Sequence, residues 1–189
     1  MEYLISLLIG ISLSATSGFR VFIPLLLLSI ASLAGWVELS PSFGWIGSYP
    51  ALFALSVAAI LELGAYFFPF VDNLLGAASV PVSLVAGTLI TASVLVDLHP
   101  MITWALAVIT GGGAALGGSF LSNLLHVGST TATGGMANPA LSLAETTFSI
   151  IISVLAVLVP VIAFLLLVLA VYFIIKNIRR LNTRRAPAV

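Results

Sequence analysis

Cysteine is absent from this 189-residue chain, and charge is scarce: six basic and six acidic residues make up 6% of it, against roughly 25% in an ordinary soluble domain. The first absence excludes disulfides, iron–sulfur clusters and thiolate metal sites. The second, together with 61% hydrophobic residues and a mean hydropathy of +1.27, excludes a soluble globular domain and leaves an integral membrane protein. The alternation of a membrane β-barrel is missing too. Apolar runs are long and continuous, so the expected fold is all-α, a polytopic helical bundle. Basic residues are missing from most of the chain: Arg20 is the only one before Lys176, and Lys176, Arg179, Arg180, Arg184 and Arg185 crowd the C-terminus. Excess Lys and Arg mark cytoplasmic segments. Residues 1–178 therefore read as one transmembrane domain and residues 179–189 as a basic cytoplasmic tail touching anionic lipid headgroups. No folded basic domain accompanies the tail, which argues against nucleic acid as a partner. Met1-Glu2-Tyr3 lacks the basic region of a cleaved signal peptide and is expected to be retained.

What is present is a set of apolar runs interrupted in two places. Residues 3–35 would form a straight helix about 50 Å long, against a hydrocarbon core of about 30 Å. The run must tilt, break or fold back, and it contains Ser14-Ala15-Thr16-Ser17-Gly18-Phe19-Arg20. An aromatic-rich loop follows at 36–49, then a span over 50–68 holding Glu62 and a short connection, Pro69 to Asn73. Asp72 reads as the cap of a helix starting near Asn73, and Pro69 as part of the same turn. Further spans are expected at 74–96 and 101–125, separated by the tight turn Asp97-Leu98-His99-Pro100. The second interruption, residues 127–139, includes Thr130, Thr131, Thr133, Gly134, Gly135 and Asn138. The last run, 146–175, should break at Pro160. The total is five or six membrane segments, the count depending on whether each polar break crosses or is re-entrant.

The two breaks share Ala-Thr-small-Gly, at 15–18 and at 132–135, each with a later proline, Pro24 or Pro139. The pair reads either as an inverted-topology repeat or as chance similarity in a chain rich in small residues. The glycine cluster 111–118 lacks the Lys-Ser/Thr of a phosphate loop. Gly111, Ala115 and Gly118 instead mark a small-residue helix face for close packing, within the subunit or in a homo-oligomer.

Charged side chains inside a bilayer each cost about 2.5–3.5 kcal/mol on insertion scales and are functional candidates by default. Arg20, Glu62 and Glu145 are the three here. They form a salt bridge that locks the bundle, or a site for an ion or small polar solute between two broken helices, or one or more of them snorkels to an interface. In that site the glutamates would take a proton or cation and Arg20 an anionic group. Thr16, Ser17, Thr133 and Asn138 add hydroxyls and an amide, and broken helices add free backbone groups. His99 and His126 sit about 40 Å apart along one helix, too far to share a haem, and no cofactor is expected. No Gly-x-Ser-x-Gly, His-Glu-x-x-His or Walker lysine is present, so nothing argues for an enzyme.

Several of these segments together resemble a bacterial membrane family known as domain of unknown function 4126. They are Ser14 to Pro24, Glu62 to Asn73 with Pro81 and Ala86-Gly87-Thr88, Gly111-Gly112-Gly113, and Thr133 to Pro139 leading to Glu145. The resemblance covers nearly the whole chain in order and implies a bacterial inner-membrane protein. It places the shared pattern on Arg20, Glu62, Pro69, Asp72, Asn73, Asn138 and Glu145 and brings no activity. Two departures concern charge: relatives often carry an acid at the position of Gly76 and a basic residue near His126. Three readings follow. A small transporter or channel is preferred, a lipid-handling protein such as a scramblase or isoprenoid-lipid carrier comes second, and a structural or assembly subunit third. A closed polar cavity would favour the first, a lateral groove the second, and a filled core with Arg20 paired the third.

Overall fold

Glycine and proline divide the apolar chain into helices. In the computed structural model, residues 2–65 and 69–185 are described, with side chains for 3–65 and 78–177; no strand occurs among the described residues. The order is α1 (Glu2–Ser17), α2 (Phe22–Leu33), a 3-10 helix (Pro41–Gly47), α3 (Tyr49–Ala65), α4 (Pro69–Val94), α5 (Pro100–Leu106), a π-helical segment (Ala107–Gly112), α6 (Gly113–Thr133), α7 (Asn138–Leu158) and α8 (Pro160–Arg185). Four prolines stand where the missing N–H costs least: Pro69, Pro100 and Pro160 begin helices and Pro139 is in the first turn of α7, whereas Pro81 lies inside α4. Pro160 thus divides the last apolar run, as its position predicts. The Asp97 turn closes with that residue at φ +59°.

Among the described residues three helices are long and apolar enough to cross a membrane: Pro100–Thr133, Asn138–Leu158 and Pro160–Asn177. A fourth is added if Pro41–Gly47 and Tyr49–Ala65, bent by 63°, count as one span. This is fewer than the five or six expected from hydropathy. One reason is the first apolar run, which folds into helices of 16 and 12 residues, only about 24 and 18 Å long at the helical rise; another is that α4 counts only over Ala78–Val94, where its side chains are described. A helix start near Asn73 is also overturned: α4 begins at Pro69, so Asp72 and Asn73 lie inside its first turns. The side chains of Pro69, Asp72 and Asn73, like those of the C-terminal arginines, lie outside the described residues. The expected tail is continuous in its backbone with α8 as far as Arg185.

The packing fixes directions. Gly10 lies against Thr91 and Val94, and the Ser14 hydroxyl donates to the Gly87 carbonyl (2.7 Å) and bonds the Thr91 hydroxyl (2.9 Å), so α1 runs antiparallel to α4. Gly111 meets Gly87 and Thr91 and Ser119 bonds Ser83, so α6 also runs antiparallel to α4. Thr16 meets Ser153 while Arg20 meets Ser142 and Thr146, which makes α7 antiparallel to α1. The start of α1 (Tyr3, Ser6), the chain after α2 (Trp36, Glu38) and Asp97 line one cleft of about 340 Å³. The beginning of α1 and the end of α2 are therefore at the same end of the bundle. Together α1 and α2 make a hairpin whose apex, Gly18 to Val21, reaches α4 near Ser79–Ser83, about the middle of that helix.

Small residues let the hairpin in. A Cβ at Gly18 would overlap the Ala115 carbonyl and the Ser119 amide, and one at Gly118 would overlap the Ala15 carbonyl. Gly111 lies equally close to Gly87 and Thr91. The Gly111, Ala115 and Gly118 face is thus buried within the chain against α1 and α4, as the intrasubunit alternative expects.

Candidate functional site

Backbone polar groups left by the break in the first apolar run need partners. Gly18, Phe19 and Arg20 send their N–H groups back to Ala15 and Thr16 carbonyls. The next two, Val21 and Phe22, open α2, and no residue of α2 caps them. Glu62 does so from α3. Its Oε1 accepts from the Val21 N–H (2.7 Å) and its Oε2 from the Phe22 N–H (3.0 Å). A carboxylate across a helix N-terminus satisfies orphan donors and complements the helix dipole. Glu62 is 8% exposed, and the Arg20 charge acts on it from the apex.

Arg20 turns the other way and is 1% exposed. Its Nε donates to the Thr146 hydroxyl (2.8 Å), Nη2 to the Ser142 carbonyl (2.8 Å) and Nη1 to the Phe19 carbonyl (3.2 Å). Nη2 also lies 3.5 Å from Oε2 of Glu145, itself 4% exposed. Glu145 is held from α6 as well: Ser122 donates to Oε1 (2.7 Å) and His126 Nε2 lies 3.2 Å from Oε2. Ser122 and His126 are four residues apart and so share one helix face. Sequence reasoning gave neither a role at Glu145, though their spacing was a usable signal. Thr16 and Ser17 line the hairpin leg. The Thr16 hydroxyl bonds the Leu13 carbonyl (2.8 Å) and the Ser153 hydroxyl (3.0 Å), and Ser17 donates to the Ser14 carbonyl (2.7 Å). Both are fully buried.

Arg20, Glu62, Glu145, Thr16 and Ser17 are therefore brought together around one apex. Thr133 and Asn138 are not. The second polar segment is no broken helix inside the bundle: α6 continues to Thr133, Gly134 and Gly135 turn the chain at φ +63° and +89°, and α7 starts at Asn138. Thr133 closes this turn locally, accepting from the Ala137 N–H (3.2 Å), and the Asn138 amide donates to Thr130 (3.1 Å). The segment is mostly exposed, with Met136 the most open. A turn at a bundle end needs the same small and polar residues as a break, which is why sequence did not separate them. Moreover, α1 and α6, which the two Ala-Thr-small-Gly copies close, run in the same direction, the reverse of what an inverted pair requires.

A groove of about 370 Å³ opens onto the apex between α3 and α4, lined by Phe19, Phe22, Leu61, Glu62, Ser79 and Val82 among others. Glu62 is the one ionisable side chain among the described residues that line it. Over the described residues α3 packs on α2 and on the 3-10 helix. Its rim is lateral: Leu61 and Val82 are exposed on the outer surface. Among the described residues no set of three His, Cys, Asp or Glu side chains converges on a metal position.

Long apolar helices enclosing buried hydroxyls and paired charges are the construction of a membrane protein, and that is the class this fold defines. More narrowly, the chain belongs to the family described as domain of unknown function (DUF4126), whose model matches residues 7–180. No curated protein and no solved structure matches it.

Proposed function

We propose that this protein is a small transporter of the bacterial inner membrane, without enzymatic activity, which binds a cation or proton at Glu62. The observation that carries this reading is the position of Glu62. It is a buried carboxylate that anchors the hairpin apex and is also, among the described residues, the single ionisable group on a groove leading outward. The charge inventory agrees. Among the described residues one guanidinium, Arg20, faces two carboxylates, Glu62 and Glu145; with His126 neutral beside Glu145 one carboxylate is left over, and in a low-dielectric interior an uncompensated charge is costly. A cation or proton at the apex restores the balance. Binding there would act directly on the Glu62 hold on α2, which couples occupancy to the hairpin.

In this reading α1 and α2 form a re-entrant hairpin and α3, α4, α5–α6, α7 and α8 make five crossings. Irregular backbone at mid-depth is tolerated where protein covers it, and the apex is so covered. In this reading the C-terminus is cytoplasmic, which the basic end of α8 supports, and the N-terminus is outside.

The lateral, mostly apolar rim of the groove favours a second reading, lipid handling. Reconstitution separates the two. Ion flux in proteoliposomes, followed with pH and potential dyes and lost in Glu62→Gln, supports transport. Absence of flux under every gradient, with headgroup scrambling by wild type, would replace it with lipid handling.

A further inference from the structure

The surroundings of Glu62 narrow the solute, given the transport reading on which this step rests. We infer that the groove takes a lipophilic organic cation, a quaternary onium or protonated amine, with its charge at Glu62 and its hydrocarbon body between α3 and α4.

Four features of the site lead there. The first is charge. Arg20 is the cation nearest the carboxylate, and its guanidinium is directed to Thr146, Ser142, Phe19 and Glu145. Among the described residues the groove lining therefore offers a negative end with no positive group, which disfavours an anionic solute. The second is ligand count. A bare metal ion needs several oxygen ligands to replace its hydration shell. Among the described residues the lining side chains supply one carboxylate and the Ser79 hydroxyl, which is already engaged, while the apex carbonyls of Gly18 and Phe19 accept from Ser119 and Arg20. An organic cation, whose charge is spread over carbon, has no such requirement. The third is free valence. Each Glu62 oxygen accepts one backbone N–H, which leaves a second lone-pair position on each for a ligand. The fourth is shape and surface. A volume of about 370 Å³ falls within the small-molecule range of about 300–1,000 Å³, Phe19 and Phe22 offer aromatic surface for a cation, and the rim at Leu61 and Val82 meets the hydrocarbon phase, where such a solute partitions.

The test is equilibrium dialysis of labelled tetraphenylphosphonium against the purified full-length protein in detergent. Wild type should bind saturably, and neutral triphenylphosphine oxide and excess sodium or potassium chloride should not compete. Glu62→Gln should bind about tenfold more weakly or worse. Val82→Trp, which fills the groove without touching the cap, should do the same and guards against a folding defect in the first variant. No saturable binding, or binding that both variants retain, overturns the assignment. Glu62-dependent ion flux without phosphonium binding would overturn this solute class and leave the transport reading standing. Binding that both variants lose, without any flux, would uphold the site and remove transport.

Discussion

Arg20 and Glu145 meet at 3.5 Å with their side chains 1% and 4% exposed. One sits at the end of a hairpin and the other two turns into α7, so the pair ties the hairpin to the far side of the bundle. Breaking a buried pair from one side leaves an uncompensated charge, which costs about 3–5 kcal/mol, whereas replacing both partners by apolar groups is often neutral. Arg20→Met alone should therefore lower thermal stability in detergent steeply. The double variant Arg20→Met with Glu145→Leu should recover most of the loss. Equal damage from the single and double variants would show that Arg20 acts through its bonds to Thr146 and Ser142 and that the ion pair contributes little.

Glu62 makes two demands separable by substitution. Glutamine keeps one acceptor oxygen for α2, so Glu62→Gln should cost about 1 kcal/mol of stability, the size of a lost cap, while abolishing flux. Leucine orphans both N–H groups, at about 1–3 kcal/mol each, so Glu62→Leu should unfold at clearly lower temperature. A Gln variant as unstable as the Leu variant would make the group purely structural.

The charged core was legible in the sequence because ions are expensive in lipid. Arg20, Glu62 and Glu145 stand out by chemistry alone, and all three converge on the apex. The break at Gly18 was legible for the same reason, since small and hydroxyl residues interrupt a run too long for one crossing. The fate of Thr133 and Asn138 was not. Whether a polar segment turns in the open or lies buried depends on what packs over it, and that is long-range information. Glu62's reach to Val21 and Phe22 was equally hidden, because those partners are backbone groups 40 and 41 residues away.

Glycines near the apex are sorted by what surrounds them. Gly18 and Gly118 face backbone atoms that cannot retreat, whereas Gly113 and Gly117 face open space. Gly18→Ala should push the hairpin from α6 and cost about 1–3 kcal/mol, as overpacking does. Gly117→Ala should be neutral or slightly stabilising, since alanine is the better helix former. Thermal unfolding of both variants beside wild type checks the order; equal effects would mean that the hairpin is not seated against α6 at Gly18.

The depth of the apex is open to chemical test, helped by the absence of native cysteine. If the hairpin is re-entrant, Phe22→Cys should resist a membrane-impermeant maleimide applied from either side, because α1 is too short to carry the apex through. Trp36→Cys, exposed at the end shared with Tyr3, should label from outside the cell. Met136→Cys, at the opposite end in the turn between α6 and α7, is 88% exposed and should label from the cytoplasm. Labelling of Phe22→Cys from the cytoplasmic side would mean that α1 and α2 cross fully and would remove the mid-membrane site. Reversed labelling of Trp36→Cys and Met136→Cys would keep the hairpin and invert the orientation drawn from the basic tail.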